Sequence, residues 1–147
     1  MAASLRRLAD PDLNLVVYHG AVSREDLLAF WRAVDENDPR NGAPWLSYYN
    51  PETDISELDL MTFVELKRIM EPKLRTMSER APVVSAMVCD SRLNGAILSL
   101  WKGYVGRDPD YMSEPNIFTS IEAACRWIGL DPSAHDLVAK AVQSRAA

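Results

Sequence analysis

Apolar residues recur along the chain in two alternating patterns. Short runs rich in apolar and β-branched residues are typical of buried strands, and the segments between them repeat apolar residues every three or four positions, as one face of a helix does. The runs predict strands at residues 4–9, 13–19, 45–50, 83–89 and 116–118. The other segments predict five helices, whose apolar stripes are Leu27, Phe30, Trp31 and Val34; Phe63, Val64, Leu66 and Ile69; Ile97, Leu98, Trp101 and Tyr104; Ala123, Ala124, Trp127 and Ile128; and Leu137, Val138, Ala141 and Val142.

Local signals indicate where several of these helices begin and end. A serine or threonine followed three positions later by an acidic residue predicts helix starts at Ser23 and Thr119. The second helix has two candidate starts with this spacing, Ser56 and Thr62, and both remain open. Pro72 lacks an amide donor, so it is expected to kink or interrupt that helix.

The order of elements, β-β-α-β-α-β-α-β-α-α, predicts one α/β domain with helices packed on a mixed sheet of four or five strands. The turn-forming residues 10–12 should make the first two strands antiparallel. The domain is predicted to span residues 1–147, with 131–147 as a C-terminal helical extension. The helix at 133–144 can pack on its own domain or cross to a second subunit, so a homodimer is an open alternative.

Composition and charge narrow the class of protein. The 147 residues are 48% hydrophobic and 25% charged, as in an ordinary soluble domain, and the net charge of -5 disfavours nucleic acid and anionic membrane surfaces as partners. The two cysteines indicate free thiols in a reducing compartment rather than a disulfide framework. The N-terminal residues lack a signal-peptide pattern, and no apolar run approaches the ~20 residues of a membrane helix. We therefore predict a cytoplasmic protein without integral membrane contact.

Three stretches in this order resemble the SpoIIAA-like family of bacterial proteins, relatives of STAS domains. They are residues 15–23 (LVVYHGAVS), residues 83–89 followed by 94–96, and residues 116–129 (NIFTSIEAACRWIG). The last resembles the family's habitual close, in which a short strand ending in Phe leads into a helix with Glu-Ala and a late Trp. The resemblance implies a STAS-like fold, which is also compared with the lipid-binding CRAL-TRIO domain, and it implies no settled activity.

The resemblance raises the question of a phosphorylation switch. Anti-sigma-factor antagonists of the STAS class carry Asp-Ser-x-Gly after the third strand, where this chain has Ser56. No glycine follows Ser56, and the acidic residues around it would repel a phosphate. Asp90 and Ser91 look more like the motif but follow the fourth strand, and Gly95 comes too late. We therefore interpret Ser56 as the cap of a helix or a turn.

Cys89 is the candidate nucleophile, since it precedes a helix whose dipole would stabilise a thiolate. A phosphatase-like Cys-x5-Arg loop would need arginine where the chain has Gly95, and a Cys-His pair would need His19 or His135 nearby. We expect Cys89 to be buried and inert, with Asp90 or Ser91 capping the helix. No metal or cofactor is predicted, because the histidines and cysteines show no close pairs.

The aromatic residues leave room for a binding surface. Trp101 and Tyr104 lie three positions apart beside the loop at 106–115, which contains Tyr111. These three can line a groove for a ligand or partner, although core packing is the favoured interpretation. The basic residues Lys67 and Lys73 are interpreted as part of a solvated helix face.

Three functions follow, in order of preference. The first is a non-enzymatic regulatory or protein-interaction module that docks a partner or itself, and it requires an exposed apolar patch. The second is a carrier or sensor of a small apolar, lipid-like ligand, and it requires a continuous cavity. The third is a hydrolase-type enzyme using Cys89, which requires His19 within hydrogen-bond reach.

Overall fold

The computed structural model describes residues 2–77 and 81–143, in which five strands and five helices form an α/β fold with a mixed sheet, as predicted. Boundaries agree with the sequence prediction to within a few residues. The elements are β1 (Ala3–Ala9), β2 (Asp12–Tyr18), α1 (Arg24–Ala33), β3 (Trp45–Tyr49), α2 (Leu60–Met77), β4 (Val83–Val88), α3 (Arg92–Gly106), β5 (Ser113–Phe118), α4 (Ile121–Ile128) and α5 (Pro132–Gln143), with a 3-10 turn at Pro39–Gly42.

The sheet has the strand order β1-β2-β3-β4-β5. β1 pairs with β2 in the antiparallel sense, as the turn at 10–12 predicts, and the remaining pairs are parallel. The register places Leu46 beside Leu15 on one side and Ala86 on the other. Because β2 to β5 are parallel, the helices that connect them all begin at the same edge of the sheet, after the carboxyl ends of the strands.

Helices cover both faces of the sheet. The face covered by α1, α2 and α3 carries Val16, Tyr18, Trp45 and Met87, and the opposite face, covered by α4 and α5, carries the set Leu13, Leu15, Leu46, Ala86 and Val88.

The last helix packs on its own domain. Val138 of α5 is fully buried in the second cluster, and Arg6 Nη1 of β1 donates to the Ala141 carbonyl at 2.8 Å. Residues 132–143 of this single chain therefore follow the first of the two alternatives, and the predicted end of the helix at Ser144 lies outside the described residues.

Helix starts agree with the capping signals only in part. Ser23 forms the predicted capping box with Asp26. α2 begins at neither predicted start. Asp59 directly precedes the helix and caps it, because its carboxylate accepts from the amide of Thr62 at 2.9 Å. α4 is capped by Ser120, whose hydroxyl accepts from the Ala123 amide at 3.1 Å, so the prediction of Thr119 was wrong by one residue.

Pro72 does not end α2, which continues to Met77. Proline in a helix leaves the carbonyl four residues earlier without its amide partner. That carbonyl belongs to Arg68, and both residues are exposed, so water can reach it. The expectation of an interruption was therefore wrong.

Candidate functional site

An exposed apolar surface lies where α2 and α3 run side by side. Among the described residues, the large hydrophobic side chains most exposed are Leu60 (52%), Met61 (59%), Leu93 (59%), Leu100 (54%) and Leu137 (45%). Leu60 and Met61 begin α2, Leu93 and Leu100 lie on α3, and both helices begin at the same edge of the sheet. We call the surface formed by Leu60, Met61, Leu93 and Leu100 the α2–α3 face.

α3 contributes to this surface because its apolar residues extend beyond its buried side. Its inward residues Asn94, Leu98 and Val105 are buried. An uncharged row of exposed residues follows the helix at intervals of three and four positions, which places the row on one face. The row consists of Leu93, Ala96, Leu100 and Gly103, and the exposed side chains of Arg92 and Lys102 lie outside it.

Asn94 fixes the start of α3 against the loop that precedes α2. Its Nδ2 donates to the Thr53 carbonyl at 2.7 Å, and its Oδ1 accepts from the Ile55 amide at 3.5 Å. Ile55 and Leu58 of that loop are buried in the core. The relative position of the two helix starts is therefore set by buried hydrogen bonds and apolar anchors.

The predicted aromatic residues lie beside this surface, and the structure brings them together. The ring of Trp101 packs against Phe63 at 5.7 Å and edge-on against Tyr111 at 5.9 Å. Trp101 and Tyr111 line a cavity of about 80 Å³ between the sheet and the helices, together with Ser47 and Ser85. Ligand pockets usually measure roughly 300 Å³ or more, so this cavity is the wrong size for a lipid chain.

Tyr104 does not line that cavity but lies beside Lys67. The Lys67 ammonium is 5.8 Å from the Tyr104 ring centre and 6.0 Å from that of Tyr111. It bridges Glu71 at 2.6 Å and Asp108 at 2.8 Å. Only 16% of the Lys67 side chain is exposed, so its interpretation as part of a solvated face was wrong.

The Lys67 bridge ties α2 to the loop after α3. Hydrogen bonds to Asp108 and Glu71 raise the pKa of Lys67, and the bond from Lys67 lowers the pKa of Asp108. A carboxylate with a lowered pKa contributes stability that is present above its unfolded pKa of about 4 and is lost as the pH falls through its folded pKa.

We expect Asp108→Asn to speed hydrogen exchange of the amides at residues 107–112 at pH 7, because the loop loses its ion pair with Lys67. In the wild type the same acceleration should begin only below about pH 4, as Asp108 becomes protonated. The control is Asp110→Asn, since Asp110 is exposed in the same loop and makes no ion pair among the described residues. Equal exchange in the two variants would contradict this role of Lys67.

Cys89 is buried beside the start of α3. Its thiol donates to the Ser91 carbonyl at 3.5 Å, and burial raises the pKa of the thiol, which favours the neutral form. The hydroxyl of Ser91 caps the helix by accepting from the Asn94 amide at 3.2 Å, whereas Asp90 is exposed.

Neither histidine is placed to activate this thiol. His19 follows β2, and β3 lies between β2 and β4. Two strand spacings of about 4.8 Å therefore separate its strand from that of Cys89. His135 lies on α5, across the sheet.

Ser56 lies in the loop before α2, in a turn that is organised by Asp54. The Asp54 carboxylate accepts from the Ser56 amide at 2.9 Å, and hydrogen bonds from Ser56 lower the pKa of that carboxyl group. Ser56 is therefore held by a turn and does not cap α2.

A second apolar concavity was not predicted. It is an open groove of about 340 Å³ between β1 and α1, lined by Ala3, Leu5, Ala29, Phe30 and Val34 among others. The sequence offers no signal for it, because β1 and α1 are not consecutive in the chain and their packing depends on the whole sheet.

In residues 2–77 and 81–143 no group of histidine, cysteine and acidic side chains is arranged to hold a metal ion. No helix in that part of the chain has the length and apolar character needed to cross a membrane. Comparison of the chain with protein-family models, with curated proteins and with solved structures found no match.

Proposed function

We propose that this chain is a protein-interaction module of regulatory type that binds its partner through the α2–α3 face. The observation that carries the proposal is that four of the most exposed large hydrophobic side chains, Leu60, Met61, Leu93 and Leu100, belong to α2 and α3, two helices in contact with each other. Exposed apolar patches larger than several hundred Å² are uncommon on a monomer and mark interaction sites. Because Asn94 joins the start of α3 to the loop before α2, the two parts of this surface have fixed relative positions before any partner binds.

The proposal includes membership of the SpoIIAA-like family, with its STAS-like fold, a bacterial origin and a cytoplasmic location. What supports it is the α/β architecture with a mixed sheet, together with the position of the three resembling stretches. These stretches form β2 with the cap of α1, β4 with the start of α3, and β5 with α4.

The proposal predicts that polar substitutions on the α2–α3 face weaken binding. Leu93→Ser with Leu100→Ser should reduce capture of at least one protein from an extract of the source cell by about tenfold, because the apolar contact supplies the binding energy. The control is Leu137→Ser, which changes a similarly exposed leucine on α5. The same set of proteins captured by all three chains would contradict the proposal.

The groove between β1 and α1 favours a second candidate, a carrier of a small apolar ligand. Its volume of about 340 Å³ reaches the lower end of known ligand pockets. Native mass spectrometry of freshly purified protein tests this candidate. A retained apolar molecule would favour it over docking, and a protein mass without additions would count against it.

A further inference from the structure

The outward residues of α3 alternate in size in a way that suits a second copy of the same helix. We propose that the α2–α3 face binds a second copy of this chain, by antiparallel packing of α3 on α3 about a twofold axis that crosses the helix at the level of residue 98. This inference rests on the proposed docking function and names its partner.

In such a pair, residues whose numbers sum to 196 lie opposite one another. Leu93 then faces Gly103 of the other copy, and Ala96 faces Leu100. Each large exposed side chain therefore packs against a small residue of the other copy, and the twofold symmetry repeats both pairs. Because the small residues leave room, the two helix axes can approach to about 8 Å. A partner of unrelated sequence would not require this internal symmetry of α3.

The charges at the two ends of α3 complement each other in the same arrangement. Asp90 precedes the helix, Arg92 lies in its first turn and Arg107 follows it, and all three are exposed. None of these side chains forms an ion pair with another described residue. Antiparallel packing about the same axis brings Asp90 of each copy near Arg107 of the other, so the symmetric contact contains this opposite-charge pair twice.

The area available indicates a weak dimer. A stable complex usually buries about 800 Å² on each partner, and a single helix pair supplies part of that. Leu60 and Met61 extend the apolar surface from the neighbouring helix. We therefore expect a dissociation constant on the order of 10 µM, which is typical of small interfaces.

The test is sedimentation velocity from about 5 to 200 µM protein, a range that spans the expected dissociation constant. The wild type should pass from monomer to dimer. Asp90→Arg and Arg107→Asp should each weaken the dimer at least about tenfold, since each variant alone places like charges opposite each other. Asp136→Arg, a charge reversal on α5, is the matched control and should leave the dimer unchanged.

Mixing the two interface variants is the decisive step. One chain then carries arginine at both positions and the other aspartate at both, so an equimolar mixture should form a heterodimer with nearly wild-type affinity. A wild type that remains monomeric at the highest concentration, or a mixture that does not associate, would overturn the inference. In that case, loss of a captured protein with Leu93→Ser and Leu100→Ser would still support docking, whereas retention of every protein would remove both proposals.

Discussion

Replacing Lys73 by methionine is expected to lower the free energy of unfolding by about 3 kcal/mol. Lys73 is buried on α2, and its ammonium donates to the carbonyls of Val34 at 2.6 Å and Arg32 at 3.1 Å. These carbonyls end α1, where a positive charge is favourable and backbone acceptors have no partner in the helix. Methionine retains an apolar side chain of similar length and removes only the ammonium group that donates these hydrogen bonds.

Urea unfolding measures this effect, and Arg68→Met is the control on the same helix. Arg68 is exposed, so its replacement should change stability by no more than about 0.5 kcal/mol. Equal unfolding free energies for the two variants would show that Lys73 does not hold the end of α1.

Asn94→Leu is the second large effect, with an expected loss of about 2 kcal/mol in the free energy of unfolding. Leucine has a similar size but leaves the Thr53 carbonyl without its 2.7 Å hydrogen bond. Because that bond joins α3 to the loop before α2, hydrogen exchange at residues 53–55 should also increase. Self-association should weaken too, since the two halves of the α2–α3 face lose their fixed positions.

The matched control for Asn94 is Ser99→Ala. Ser99 is exposed on the same helix, and its hydroxyl donates only to the Gly95 carbonyl four residues earlier, at 2.9 Å. We expect its removal to leave both the exchange at residues 53–55 and the stability nearly unchanged. An Asn94→Leu protein that behaves like this control would contradict the role of Asn94.

The fold was predictable to a large extent because its signals are local. Each buried strand is a short apolar run, and the capping box at Ser23 depends on residues three positions apart. Lys67 and Lys73 could not be interpreted correctly in this way. Their partners Asp108 and Val34 are about forty residues away in sequence and become neighbours only when the helices pack.

The candidate site was predictable only in outline. Periodicity assigned Ile97, Trp101 and Tyr104 to the apolar stripe of α3 and drew attention to the aromatic residues. The missed signal is that apolar residues extend beyond this stripe, with the exposed Leu93 and Leu100 seven positions apart. A helix whose apolar residues extend beyond its buried stripe has a second surface to bury, and the neighbouring helix cannot be identified without the sheet order.

The central claim, that the α2–α3 face binds a protein, is tested most directly by a photo-crosslinking amino acid placed at position 100 and, as control, at position 137. Both leucine side chains are about half exposed, and they belong to helices that cover opposite faces of the sheet. The account predicts that illumination links position 100 to a discrete protein, including a second copy of this chain, and that position 137 gives no comparable product. Equal crosslinking at the two positions, or none at position 100, would contradict it.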